Sequence, residues 1–294
     1  MLILISDAFG PDLPEQLARF GEVTTDKNRL AEAEIVLVRS KTKCRKDYID
    51  SAGNLKLIIR GGVGMDNIDI PYAESKGIRC MNTADASTTA VAELAFALMI
   101  ALPNHVTRAD ASMREGQWLK KQLKRTELHG TTLGILGLGR IGLSLAVRAR
   151  AFKMNVIGWH PDVYFTDWAE ICPTLDEVLQ RSDYVSIHMP LLDDTRGLIN
   201  ETTLKQFKDG AYLINTARAK IVVEEDVVAA LERGKLAGYA TDVWSSDPPE
   251  RSPLFDAPNT IFTPHIGAST TENMGRIGII IERLIEDFQP CTTA

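Results

Sequence analysis

The sequence predicts an α/β protein of two domains, each built on a parallel sheet wrapped by helices. Three observations carry that expectation. Short β-rich runs alternate with helical patterns along the chain, as they do when parallel strands are joined by crossover helices. Several of the runs are continuously apolar, as strands are when both faces of a sheet are covered. The chain of 294 residues exceeds one ordinary α/β domain and suits two of modest size.

In chain order, strands are expected at Leu2–Ser6, Ile35–Val38, Leu57–Arg60, Leu133–Leu136, Asn155–Trp159, Tyr184–His188, Ala211–Asn215, Gly238–Asp242 and Thr260–Thr263. Helices fit between most of them, among them Arg140–Ala151, Leu175–Gln180, Glu224–Arg233 and Thr270–Phe288. The first strand–helix series runs to about residue 86. A long helix, Thr88–Leu102, leads away from it, the polar stretch Arg114–His129 follows, and a second series begins at Leu133. The last helix is placed to return to the first domain. The expected division is therefore 1–86 with 270–294, and 87–269, the two domains meeting at a cleft. The alternative is one larger sheet.

Apolar content of 45%, charged content of 24% and a net charge of -6 are globular values without the basic face that a nucleic-acid partner would need. A mildly acidic protein that binds an anion must concentrate positive charge locally, which draws attention to single arginines. The opening run Leu2-Ile3-Leu4-Ile5 lacks a charged leader and a cleavage site. The longest apolar stretch, Ala90 to Leu102, carries Glu93 and is too short to span a bilayer. Neither a membrane segment nor a metal site is expected. Cys44, Cys80, Cys172 and Cys291 form no C-x-x-C pair and have no histidine at ligand spacing, which points to reduced thiols in a cytoplasmic protein.

The strand at Leu133–Leu136 runs into Gly137-Leu138-Gly139-Arg140-Ile141-Gly142, and an amphipathic helix follows. This is G-x-G-x-x-G in the context it requires, a Rossmann-type dinucleotide loop. The first glycine makes the tight turn, the second lets the backbone approach a pyrophosphate, and the third allows close helix–strand packing. The helix N-terminus, beginning at Arg140 and Ile141, offers free N–H groups to the phosphates. The next strand would normally end in an acid for the adenosine ribose. Here it ends Gly158-Trp159-His160-Pro161-Asp162, with His160 in that place. An imidazole does not repel a 2′-phosphate as a carboxylate would, so the sequence leaves NADP open beside NAD; the alternatives are that Asp162 bends back to the ribose, or that His160 only packs beside the adenine.

Three further segments lie at the carboxyl ends of expected strands, where open α/β sheets place ligands. They are Ile214-Asn215-Thr216-Ala217-Arg218, Ala240-Thr241-Asp242-Val243-Trp244-Ser245-Ser246-Asp247-Pro248, and Thr263-Pro264-His265-Ile266-Gly267-Ala268-Ser269-Thr270. With the glycine loop, they make nearly the whole chain resemble the D-isomer-specific 2-hydroxyacid dehydrogenases. The resemblance extends to Val38–Lys43 and Arg60–Asp69, which look like segments of the phosphoglycerate-oxidising branch.

The resemblance implies a Rossmann-type sheet plus a smaller flavodoxin-like α/β substrate domain, and hydride transfer between a nicotinamide cofactor and a small D-2-hydroxy acid or 2-oxo acid. His265 is the natural acid–base group, because an unperturbed imidazole titrates near neutrality. Arg218 offers a planar fork to the substrate carboxylate. In the family a glutamate pairs with the histidine to orient it and favour its protonated form. The matching position here is Asp247, one methylene shorter, so a looser pair or a small backbone shift is expected. The alternative for Asp247 is a plain loop carboxylate before Pro248.

By the same resemblance, Asp242 would receive the nicotinamide carboxamide, and Thr216 and Ala217 would wall its ribose. His188 and Pro190 would lie along the adenosine side, with His188 a packing residue rather than a chemical one. Gly62, Val63 and Gly64 would receive the substrate carboxylate. Arg39 and Arg60 match positions that hold a phosphate, which suggests 3-phosphoglycerate. The alternatives are a glyoxylate or hydroxypyruvate reductase, and, from another class, a non-catalytic NAD-sensing protein. A formate dehydrogenase is disfavoured because an acid, not an amide, stands beside His265. The apolar helix at 90–100 and the segment Trp118-Leu119-Lys120-Lys121 resemble a dimerisation region and imply a homodimer.

Overall fold

The apolar runs do become strands, in two separate parallel sheets. The computed structural model describes residues 1–288, and Cys291 lies outside them. They fall into two compact units: Met1–Thr88 with the segment from Ala268 onward, and Thr89–Gly267.

The first unit holds β1 (Leu2–Ile5), β2 (Glu22–Thr24), β3 (Ile35–Val38), β4 (Leu57–Arg60) and β5 (Arg79–Asn82), ordered β2-β1-β3-β4-β5. This is the flavodoxin-like order, with its reversal between β1 and β3. Alternate residues of each interior strand feed opposite faces. Leu2, Leu4, Val36, Val38 and Ile58 enter one cluster. Ile3, Ile5, Ile35, Leu37, Leu57 and Ile59 enter the other. The second face is covered by helix Thr271–Phe288, whose Ile277, Ile281 and Ile285 repeat every four residues and are fully buried.

The second unit holds β6 (Thr132–Leu136), β7 (Asn155–Trp159), β8 (Glu170–Ile171), β9 (Tyr184–Ile187), β10 (Ala211–Asn215), β11 (Leu236–Thr241) and β12 (Thr260–Phe262). Their order, β12-β11-β10-β9-β6-β7-β8, is the doubly wound Rossmann arrangement with one strand added. The reversal falls between β6 and β9. Leu213 packs on one face and Ile214 on the other, which is why such strands are apolar throughout.

Three strands were not anticipated: β2, β5 and β8. All are sheet edges. An edge strand has one neighbour and a half-exposed surface, so its sequence carries polar residues, as in Glu22-Val23-Thr24 and Arg79-Cys80-Met81-Asn82. No single helix among the described residues is long and apolar enough to cross a membrane.

Candidate active site

The candidate residues of the second unit share one edge of its sheet. Register pairs Leu136 with Trp159 and with Ile187, Ile187 with Asn215, Asn215 with Thr241, and Thr241 with Phe262. The residues one step further therefore form a row: His160, Gly137, His188, Thr216, Asp242, Thr263. Backbone bonds extend the ladder into it, from Gly137 N–H to Trp159 O at 2.9 Å, His188 to Leu136 at 2.8 Å, Asp242 to Asn215 at 3.1 Å and Thr263 to Thr241 at 3.0 Å. At about 4.8 Å per strand the row is about 24 Å long, and it crosses the point where strand order reverses.

The glycine loop occupies that reversal. Gly137 has φ 101°, and a Cβ there would lie 2.6 Å from the His188 carbonyl oxygen. A Cβ on Gly142 would strike the Gly137 carbonyl, so helix Arg140–Ala151 is seated hard against the loop. A Cβ on Gly139 would meet nothing within 4 Å. Gly139 is also the N-cap, so the cap residue puts no side chain over the first turn of the helix. Further along the row, Thr216 Oγ1 is buried with no hydrogen-bond partner. A glycine-capped helix end and an orphaned buried hydroxyl on the same edge fit a dinucleotide cofactor.

At the adenosine end, His160 Nδ1 accepts the Asp162 backbone N–H at 3.1 Å. The ring thus closes its own turn and leaves Nε2 as its outward nitrogen. His188 is bonded to Ser186 Oγ through Nε2 at 2.8 Å, and burial pushes its imidazole down to about 4. The ring is half-buried, and its bond to Ser186 holds it in place beside the glycine loop. Pro190 follows at the surface, its carbonyl accepting Thr195 Oγ1 at 2.7 Å.

The Thr216–Arg218 turn is strapped by a residue the sequence did not single out. Asn215, fully buried, accepts Ala217 N–H at 3.0 Å and donates to Arg218 O at 2.9 Å. The Arg218 guanidinium donates to Ala217 O at 2.7 Å.

Asp242 is 2% exposed and plays a larger structural part than its sequence assignment suggested. Its carboxylate accepts Thr263 Oγ1 at 2.6 Å and the backbone N–H groups of Ile266 and Gly267, both at 2.8 Å. Those bonds clamp the segment that carries His265. His265 itself has φ 55°, a left-handed conformation that costs a non-glycine residue about 1 kcal/mol. The two N–H groups immediately after it are the ones Asp242 holds. His265 Nδ1 lies 2.6 Å from Asp247 Oδ2, with both side chains partly exposed. The shorter aspartate therefore reaches the imidazole, and the pair is not loose.

In the first unit the analogous edge carries arginines. Val38 pairs with Arg60 across β3 and β4, so Arg39 and Arg60 sit at adjacent carboxyl ends. The Arg60 guanidinium lies against Gly62, where any Cβ would collide with it. Val63 is exposed, and its carbonyl is held by Asn82 Nδ2 at 2.7 Å, which shapes the turn leading to Gly64. Asp7 was missed in the sequence. From the end of β1 it accepts Arg39 N–H at 2.6 Å, Thr42 N–H at 3.1 Å and Thr42 Oγ1 at 2.6 Å. Its position just past the first strand, at the reversal of strand order, is the signal that could have found it.

Glu170, Cys172 and Glu177 gather within 4.8 Å of one another, but Arg181 donates to all three, so a cation already fills that group.

Comparisons with known proteins agree with this fold. The family described as "D-isomer specific 2-hydroxyacid dehydrogenase, NAD binding domain" matches residues 96–267. Hydroxypyruvate reductase of Thermotoga maritima is 42% identical over 263 residues, 88% of this chain and 86% of that protein. D-3-phosphoglycerate dehydrogenase of Methanocaldococcus jannaschii is 38% identical over 296 residues, 97% of this chain but 56% of that protein, so the chain spans about half of that longer relative. D-lactate dehydrogenase of Aquifex aeolicus, solved with NAD and lactic acid, superposes with a TM-score of 0.87 at 28% identity, covering 98% of this chain and 95% of that one. With an NAD-binding domain matched over residues 96–267 and two sheets in the expected orders, the chain belongs to the D-isomer specific 2-hydroxyacid dehydrogenase family.

Proposed function

We propose that the chain reduces a small 2-oxo acid to its D-2-hydroxy acid, and runs the reverse, with His265 as the acid–base group. The observation that carries this is the 2.6 Å His265–Asp247 contact on the sheet edge that also bears the glycine loop. The loop and the helix end at Arg140 and Ile141 would hold the pyrophosphate, and Thr216 and Ala217 the nicotinamide ribose. Asp242 has used three of about four acceptor positions, leaving one for the carboxamide. The bound cofactor supplies or accepts the hydride. His265 gives the proton to the carbonyl oxygen in reduction and removes it from the hydroxyl in oxidation. Asp247 holds the ring and offsets the charge of its protonated form. Arg218 binds the carboxylate bidentately and polarises the carbonyl.

The first unit is the substrate-binding domain and the second the dinucleotide-binding domain in this reading. Gly62, Val63 and Gly64 receive the substrate carboxylate. Arg39 and Arg60 favour a substrate with a second anionic group, such as 3-phosphoglycerate. The 42% identity to a hydroxypyruvate reductase supports an unphosphorylated substrate as the second reading. NAD is the working cofactor, with weak rejection of NADP because His160 replaces a carboxylate. The protein works as a cytoplasmic homodimer; the free thiols Cys44, Cys80 and Cys172 support the compartment.

The test is a panel of 2-oxo acids, phosphorylated and not, assayed with NADH and NADPH. Turnover of at least one acid is expected, with NADH ahead by less than about tenfold, or 1.4 kcal/mol. Cofactor binding without turnover of any 2-oxo acid would favour a sensing protein instead.

A further inference from the structure

We infer that Trp244 is a positioning residue for the Asp247–His265 pair, an inference that rests on the acid–base reading of that pair. Trp244 stands three residues before Asp247. Its indole Nε1–H donates to the Thr263 carbonyl oxygen at 3.0 Å. That same oxygen accepts the backbone N–H of His265 at 3.0 Å. One acceptor thus ties the segment bearing the carboxylate to the segment bearing the imidazole.

The arrangement answers how an aspartate can do the work of a longer glutamate. Asp242 bonds to Thr263, Ile266 and Gly267 and so holds the histidine's backbone rather than the stretch around Asp247. That stretch is exposed from Ser245 to Pro248. What draws it inward is Trp244, half-buried, with its ring 5.2 Å from Phe255 and 5.3 Å from Phe262. Phe255 and Phe262 meet each other edge-on at 5.5 Å. Phe262 ends β12 and immediately precedes Thr263. The β11–β12 ladder sets the register of the two segments, and the aromatic cluster and the indole N–H hold the stretch leading to Asp247 against the end of β12.

Trp244→Phe separates these contributions, because it keeps a ring against Phe255 and Phe262 and removes the N–H. The expected result is a kcat lowered roughly 3- to 10-fold, the factor that one net hydrogen bond corresponds to, with the KM for the oxo acid and the calorimetric Kd for NADH unchanged. A second readout is the low-field proton resonance of the His265 Nδ1–H···Asp247 contact, which should move or broaden in the variant. Trp244→Tyr serves if the phenylalanine form does not fold. Wild-type kcat with an unmoved resonance, while Asp247→Asn is impaired, would overturn the role of Trp244 alone. Full activity in Asp247→Asn would overturn the pair and this inference with it.

Discussion

A 2.6 Å contact between an imidazole nitrogen and a carboxylate oxygen has consequences for each partner. Asp247→Asn is nearly isosteric and removes the charge that offsets the imidazolium. It should leave the fold intact, with an unchanged melting temperature, and slow 2-oxo acid reduction measurably in steady-state assays. His265→Ala should be worse, by roughly 100- to 10,000-fold, because that is what positioned acid–base catalysis contributes. A variant ratio near one for His265→Ala would remove the histidine from the mechanism. His188 makes a different prediction. Burial holds its imidazole at about 4, below the ordinary 6.5. The unfolded chain therefore takes up a proton below pH 6.5 that the folded chain refuses. Its contribution is complete above pH 6.5 and is lost as pH falls toward 4. As pH is lowered through that window the wild type should lose melting temperature relative to His188→Gln, which does not titrate there; parallel curves would show that the ring titrates normally.

The β6–loop–helix element divides its glycines by what surrounds them. Gly142→Ala forces a Cβ onto the Gly137 carbonyl and should destabilise the second unit, lowering its melting temperature. Gly139→Val meets open space and should melt as the wild type does, yet lose NADH affinity, because the side chain would stand where a pyrophosphate approaches. Calorimetric titration against NADH reads the second effect and thermal unfolding the first. If both variants behave alike, the open side of the loop is not where the cofactor binds. The clamps at Asp242, Asn215 and Asp7 follow the same logic at the carboxyl ends of β11, β10 and β1. In each, a carboxylate or amide saturates the backbone of a loop, so that the loop's other side chains are presented in one conformation.

Among the described residues, two stretches of the second unit expose large apolar side chains, Tyr164–Trp168 and the stretch from Val106 to Trp118, and the second is the one that resembles a dimerisation region. Val106 is 49%, Met113 55% and Trp118 73% exposed. Trp118 is costly to leave in water, at about 25 cal/mol per Å² of apolar surface, and a second copy would cover it. Sedimentation at micromolar concentration should give a dimer, and Trp118→Glu should shift it toward monomer. A wild-type monomer would leave this surface without that explanation. Saturating NADH, at about 100 times its Kd, should add about 2.7 kcal/mol to the stability of the unit that binds it.

Much of this was legible from the sequence because it rests on local rules. The interior strands announced themselves as apolar runs, since a parallel strand buried on both faces cannot alternate. The glycine loop was readable because a tight turn, a close approach and a packed helix each forbid a side chain at a defined spacing. His265, Arg218 and Asp247 were singled out through the segments around them. Tertiary structure decided the rest. The edge strands β2, β5 and β8 were missed because each is short or carries polar residues that break an apolar run. Whether Asp247 reaches His265 depended on two segments 18 residues apart, brought together by the β11–β12 register, the Asp242 clamp and the indole of Trp244. The row from His160 to Thr263 exists only because strand order and register align six chain segments that no spacing in the sequence relates.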